Sequence, residues 1–63
     1  MADGKALRVL LCDDEPGMRL ILRKLVERAE GFEIVGEAED GEEGLRLFEE
    51  KRPDVVFLDV DMP

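Results

Sequence analysis

Three short apolar blocks, spaced by stretches of helical length, constrain this 63-residue chain more than any other feature. They are Leu7–Cys12 (LRVLLC), Phe32–Ala38 (FEIVGEA) and residues 54–59 (DVVFLD). Each has the length of a strand and is too short for a buried helix. The first and third are near-continuous runs of Val, Leu and Phe, the pattern of strands covered on both faces of a parallel sheet. The second is broken by Glu33 and Glu37, which predicts an edge position.

The intervening segments carry a helical period. Over residues 16–30, Met18, Leu22, Leu25, Val26 and Ala29 fall on one face of a 3.6-residue repeat. Arg19, Arg23, Lys24, Glu27 and Arg28 fall on the other. Pro16 suits a first helical turn, where a missing N–H costs nothing. Gly31 supplies a left-handed stop. Asp40 opens a second helix, and Glu43 three residues on completes an approximate capping box. Gly41, Gly44, Leu45 and Phe48 are expected on its inner face. Lys51 and Arg52 oppose the negative helix end, and Pro53 terminates it. The order is β-α-β-α-β. Helical crossovers imply parallel strands with right-handed connections, and a doubly wound α/β sheet of strand order 2-1-3.

Charge and cysteine content exclude several functions. Nine basic residues stand against 17 acidic ones, a net charge of −8. Such a segment is not expected to grip nucleic-acid phosphates or an anionic membrane surface. No apolar run approaches the roughly 20 residues that span a bilayer. With one cysteine and no histidine, an intrachain disulfide and a Cys/His zinc site are both excluded. A reducing cytoplasm is the expected setting. Cys12 reads as a small buried apolar residue.

The acids are distributed less evenly than the total suggests. Asp13, Asp14 and Glu15 follow the first strand, and Asp59 ends the third. If those strands are neighbours, the carboxylates meet at the carboxyl edge, where open α/β sheets bind ligands. Two like charges about 4 Å apart cost about 4 kcal/mol at an effective dielectric near 20. A hard divalent cation such as Mg²⁺ would relieve that repulsion. Asp59 could then be a ligand, or a nucleophile that becomes an aspartyl phosphate. The plainer alternatives are that Asp13 or Asp14 is a helix N-cap and Asp59 a turn former. The run from Glu37 to Glu43 reads as a solvated loop and helix start.

These blocks together resemble a known family. LRVLLCDDEPGMR, then GEAEDGEEGL, then PDVVFLDVDMP is similar to the N-terminal half of a response-regulator receiver domain of bacterial two-component signalling, with a flavodoxin-like sheet. The resemblance covers residues 7–63, the βαβαβ half of the domain; the polar, Gly-containing start, residues 1–6, reads as a flexible leader. It implies that Asp59 is the phosphoacceptor and a histidine kinase the donor. It implies Mg²⁺ held by Asp14 and Asp59 through their side chains, by Asp13 through a bound water, and by the Asp61 carbonyl. Met62 and Pro63 match the turn that follows. The family is a phosphoacceptor, with Mg²⁺-assisted self-phosphorylation, rather than a turnover enzyme.

Family members carry a Ser/Thr after a fourth strand and a Lys after a fifth, and the sequence ends at Pro63 before either. The expectation is a half-domain that takes phosphate poorly by itself and does not switch. Its third strand would pair with a second copy across a two-fold axis, giving a homodimer of strand order 2-1-3-3′-1′-2′. Two other functions fit parts of the sequence. Phe57-Leu58-Asp59-Val60-Asp61 resembles the D-x-D motif of haloacid-dehalogenase-type phosphatases, with Asp59 as nucleophile and Asp61 as acid/base, although Met62-Pro63 replaces the usual Gly-Thr. A purely structural half-domain is the third reading.

Overall fold

In the computed structural model, residues 6–58 are described. The elements run β1 (Leu7–Cys12), α1 (Pro16–Arg28), β2 (Phe32–Ala38), α2 (Gly41–Lys51) and β3 (Val55–Leu58). The strands form one parallel sheet of order β2-β1-β3. This is the expected doubly wound arrangement, with β2 at an edge. Residues 59–63, which include Asp59, Asp61, Met62 and Pro63, lie outside the described residues, as does most of the expected leader.

β1 is central because it is the most apolar block. Val9, Leu10, Leu11 and Cys12 are all essentially inaccessible. Its alternation sends Val9 and Leu11 toward α1, where they meet Val26, Leu22, Ile34 and Val55. Leu10 and Cys12 face α2. Cys12 lies against Gly44, and Leu10 and Leu47 meet over Gly36.

The register between β1 and β2 is not uniform. Val9 pairs with Ile34, but Leu10 pairs with Gly36, so Val35 is an extra residue on β2. That bulge reverses the side-chain alternation beyond it. Gly36 joins the α2 face with Leu10, and Glu37 joins the α1 face with Leu11.

The helix boundaries are chemically explicable. Pro16 begins α1, as expected. The helix ends at Arg28 rather than residue 30, because Ala29 is already extended as the chain enters the turn. Gly31 makes that turn at φ 94°, a conformation an L side chain resists. Its carbonyl accepts from the Leu7 N–H at 2.7 Å, which fixes where β2 starts beside β1. At α2, the Asp40 carboxylate accepts from the Glu43 N–H at 2.8 Å. The Glu43 carboxylate reaches back to the N–H of Glu39 at 2.9 Å, one residue earlier than the usual capping box. Arg52 closes α2 in the left-handed region, φ 50°. Arg8 steadies this connection. Its guanidinium donates to the Arg52 carbonyl at 3.0 Å, and its backbone exchanges hydrogen bonds with Asp54.

Burial departs from expectation at the flank beside β3. Val56, Phe57 and Leu58 are exposed rather than a buried run, and so are Leu25, Leu45 and Phe48. No described helix crosses β3 on either face. An open apolar groove of about 230 Å³ runs between Leu25, Phe32 and Phe57 on the α1 side. A second, about 310 Å³, runs between Leu45, Phe48, Val56 and Leu58 on the α2 side. Met18 is also exposed. Leu22 and Val26 carry the inner stripe of α1, and Leu47 is more covered than the two apolar neighbours expected to lead on α2.

Candidate functional site

The carboxyl ends of β1 and β3 lie side by side. Cys12 and Leu58 are register partners in the parallel ladder. Asp13 and Asp14 follow the first, and Asp59 follows the second in sequence, outside the described residues. The strand-end edge expected from the sequence is therefore present, with the acid pair on it. Among the described residues there is no group of three or more metal-ligating side chains.

Asp13 and Asp14 are placed differently. Asp13 is 1% exposed and Asp14 is exposed. Three atoms of Asp13 have partners: its N–H, its Oδ1 and its carbonyl oxygen. Its N–H donates to the Ala38 carbonyl at 3.0 Å, tying it to the end of β2. Its Oδ1 accepts from the Glu15 N–H at 2.8 Å, a two-residue side-chain turn that aims the chain into α1. Its carbonyl accepts from the Arg19 Nη1 at 2.8 Å. The helix-cap alternative is not what is found. Glu15 occupies the N-cap of α1 and makes no side-chain cap, so neither aspartate is spent as the capping residue.

Arg19 was expected on the solvent side of α1, yet its side chain is only 16% exposed. It lies between the Asp13 carbonyl and Glu37, whose carboxylate is 3.5 Å from the Arg19 Nε. Arg23 approaches the same carboxylate at 3.3 Å. Glu37 is thus part of β2 and ion-paired, not a solvated loop residue. Glu39, Asp40 and Glu42 do behave as the expected solvated helix start.

Cys12 is buried and reduced. Its Sγ donates to the Asp40 carbonyl at 3.4 Å. Burial first, then the negative field of Asp40, Asp13 and Glu43, raises its pKa above the ordinary thiol value. A protonated, covered sulfur is a poor metal ligand and a poor nucleophile. The available donors at this edge are therefore carboxylate and carbonyl oxygens, which suit a hard divalent cation over a soft one.

A family profile described as "Response regulator receiver domain" matches residues 9–63. The chain belongs to the response-regulator receiver family. This receiver segment is 50% identical over 56 residues to the transcriptional regulatory protein PdtaR of Mycobacterium tuberculosis (strain H37Rv), covering 89% of the chain and 27% of that protein. It is 43% identical over 60 residues to a protein-glutamate methylesterase/protein-glutamine glutaminase of Pyrococcus abyssi, covering 95% of the chain and 16% of the relative. A crystal structure of a LuxR-family two-component response regulator from Aurantimonas sp. SI85-9A1 superposes with a TM-score of 0.87 at 41% identity, covering 94% of the chain and 42% of that structure. The chain thus spans well under a third of these curated relatives. The family membership places the Phe57–Asp61 run in a receiver, and the dehalogenase-type reading has no observation in its favour. Receivers are signalling modules of two-component systems and generally bind Mg²⁺ at the phosphorylation site.

Proposed function

We propose that this chain is the N-terminal part of a phosphoacceptor receiver in which Asp59 accepts a phosphoryl group from a histidine kinase. What supports this most is the register of Cys12 against Leu58, which makes the acid pair and the acceptor direct sequels of neighbouring parallel strands. In the transfer, a carboxylate oxygen of Asp59 forms a bond to phosphorus as the donor's P–N bond breaks and the leaving imidazole takes up a proton. Asp14 and Asp59 would hold Mg²⁺ directly, Asp13 through a bound water, and Asp61 through its carbonyl. The ion supplies charge compensation for the transferring group. The buried Asp13, with one carboxylate oxygen already engaged by the Glu15 N–H, fits an indirect role, and the exposed Asp14 a direct one.

The 63 residues contain no Ser or Thr. Nothing among them can therefore supply the hydroxyl that the family places beside the phosphoryl group. By itself the chain is expected to gain little phosphate and not to switch. It is expected to associate through the open edge of β3 instead. A reducing cytoplasm suits its single thiol.

The test uses the full-length protein that carries this segment. Incubated with acetyl phosphate and Mg²⁺, it should gain the mass of one phosphate, and Asp59→Asn should gain none. Absence of the gain, or its persistence in Asp59→Asn, would overturn the assignment. Turnover of a phosphate ester, rather than a stoichiometric gain, would point to the phosphatase alternative.

A further inference from the structure

We infer that Arg19 is a positioning residue for the acid pair, and that Glu37, turned toward it by the Val35 bulge, sets its orientation. The inference rests on the receiver reading above and extends it to residues outside the ligand set.

The first observation is where Arg19 spends its donors. Its Nη1 bonds to a backbone carbonyl, that of Asp13, at 2.8 Å. The loop from Asp13 to Glu15 has few other anchors. Asp13 is tied at its N–H and its Oδ1, but its carbonyl begins the peptide unit that carries Asp14. Fixing that carbonyl sets the plane of the Asp13–Asp14 peptide, the Oδ1 bond to the Glu15 N–H holds the next one, and the two together limit the direction in which the Asp14 side chain leaves the backbone.

The second observation is independent and lies on another strand. Without an extra residue at Val35, Glu37 would fall on the α2 face of the sheet, away from α1. The bulge places it on the α1 face, 3.5 Å from Arg19 and 3.3 Å from Arg23. Bulges beside functional sites commonly re-aim a side chain in this way. Glu37 does two things for Arg19. It holds the guanidinium in one rotamer, and it offsets a positive charge that would otherwise repel a cation from the acid pair.

A merely structural ion pair and a pure charge effect predict different outcomes. If Arg19 acted only through its charge, removing it would tighten Mg²⁺ binding, because a nearby cation would be gone. If it only pinned α1 to β2, Arg23→Gln and Arg19→Gln would act alike. Positioning predicts that Arg19→Gln weakens Mg²⁺ binding, by about tenfold as is typical when a residue supporting a metal ligand is lost. Arg19→Lys, which keeps one donor for the Asp13 carbonyl, should recover part of the loss. Arg23→Gln, which touches Glu37 but not Asp13, should leave Mg²⁺ affinity unchanged.

The experiment is a Mg²⁺ titration of the ¹⁵N-labelled full-length protein that carries this segment and of its variants, followed at the Asp13–Glu15 amides, with amide exchange at Glu15 recorded without metal. Arg19→Gln should also speed that exchange several-fold relative to Arg23→Gln, since the Asp13 turn loses its brace. Tighter Mg²⁺ binding in Arg19→Gln, or equal effects of the two substitutions on both readouts, overturns the inference. If the wild-type protein and Asp14→Asn respond identically to Mg²⁺, the metal reading fails by itself, and Glu15 exchange alone decides whether Arg19 braces the loop.

Discussion

An added Cβ at Gly44 would lie 2.8 Å from the Cys12 Sγ, closer than carbon and sulfur approach without displacement. The neighbouring contacts, to the Ala38 Cβ at 3.7 Å and the Cys12 Cβ at 3.8 Å, are ordinary. The conflict is therefore with one atom. Gly44→Ala would gain about 1 kcal/mol of helix propensity and lose about 1–3 kcal/mol to overpacking. The expected result is a net destabilisation of about 1 kcal/mol, read as a lower urea midpoint. In a Cys12→Ala background the sulfur is gone, and Gly44→Ala should become neutral or stabilising. An equal cost in both backgrounds would show that the sulfur is not the obstacle. Both residues were legible in the sequence, Cys12 as a buried apolar residue and Gly44 on the inner face of its helix. Arg19 was not. Hydropathy assigns a guanidinium to solvent, and only its chain of partners, the Asp13 carbonyl and Glu37, makes an inner position favourable. The signal that could have found it is a strand glutamate facing a helix with two arginines one turn apart.

At the level of elements, the caps and stops follow from local chemistry, so the sequence announces them. Asp40 accepts from the Glu43 N–H, and Asp40→Ala should cost about 1 kcal/mol of stability. Asp40→Ser should keep most of it. Circular dichroism melts of the two variants check this, and equal melts for Ala and Ser would remove the cap from the account. The Val35 bulge had no such local signal. Glu33 and Glu37 read as the alternation of an edge strand, and β2 is an edge strand. Yet the two acids are separated by an odd residue in the ladder, and a register slip of that kind is decided by what the neighbouring strand and helix offer. The inner faces of α1 and α2 were correct at Val26 and Gly44 and wrong at Leu25 and Leu45, for a reason that belongs to the next scale.

Across the molecule, burial fades from β1 toward β3. The period of a helix tells which residues share a face, but not whether anything covers that face. Leu25, Leu45 and Phe48 share faces with buried residues and stay open because they flank β3, over which no described helix passes. β3 pairs with β1 alone among the described residues, leaving its other edge free to add a strand. The 63-residue chain should therefore sediment as a dimer at micromolar concentration, and Phe57→Lys should return it to monomer. A compact wild-type monomer under those conditions would remove the β3 pairing. The central place of β1 has another consequence, in time rather than space. Of the three described strands it is made first, and both of its neighbours are made later. At about 5–20 residues per second, its apolar run waits on the order of seconds before β2 can dock and longer before β3 can. During synthesis the most hydrophobic of these three strands is also the one left longest without a mate, and there a chaperone has the most to shield.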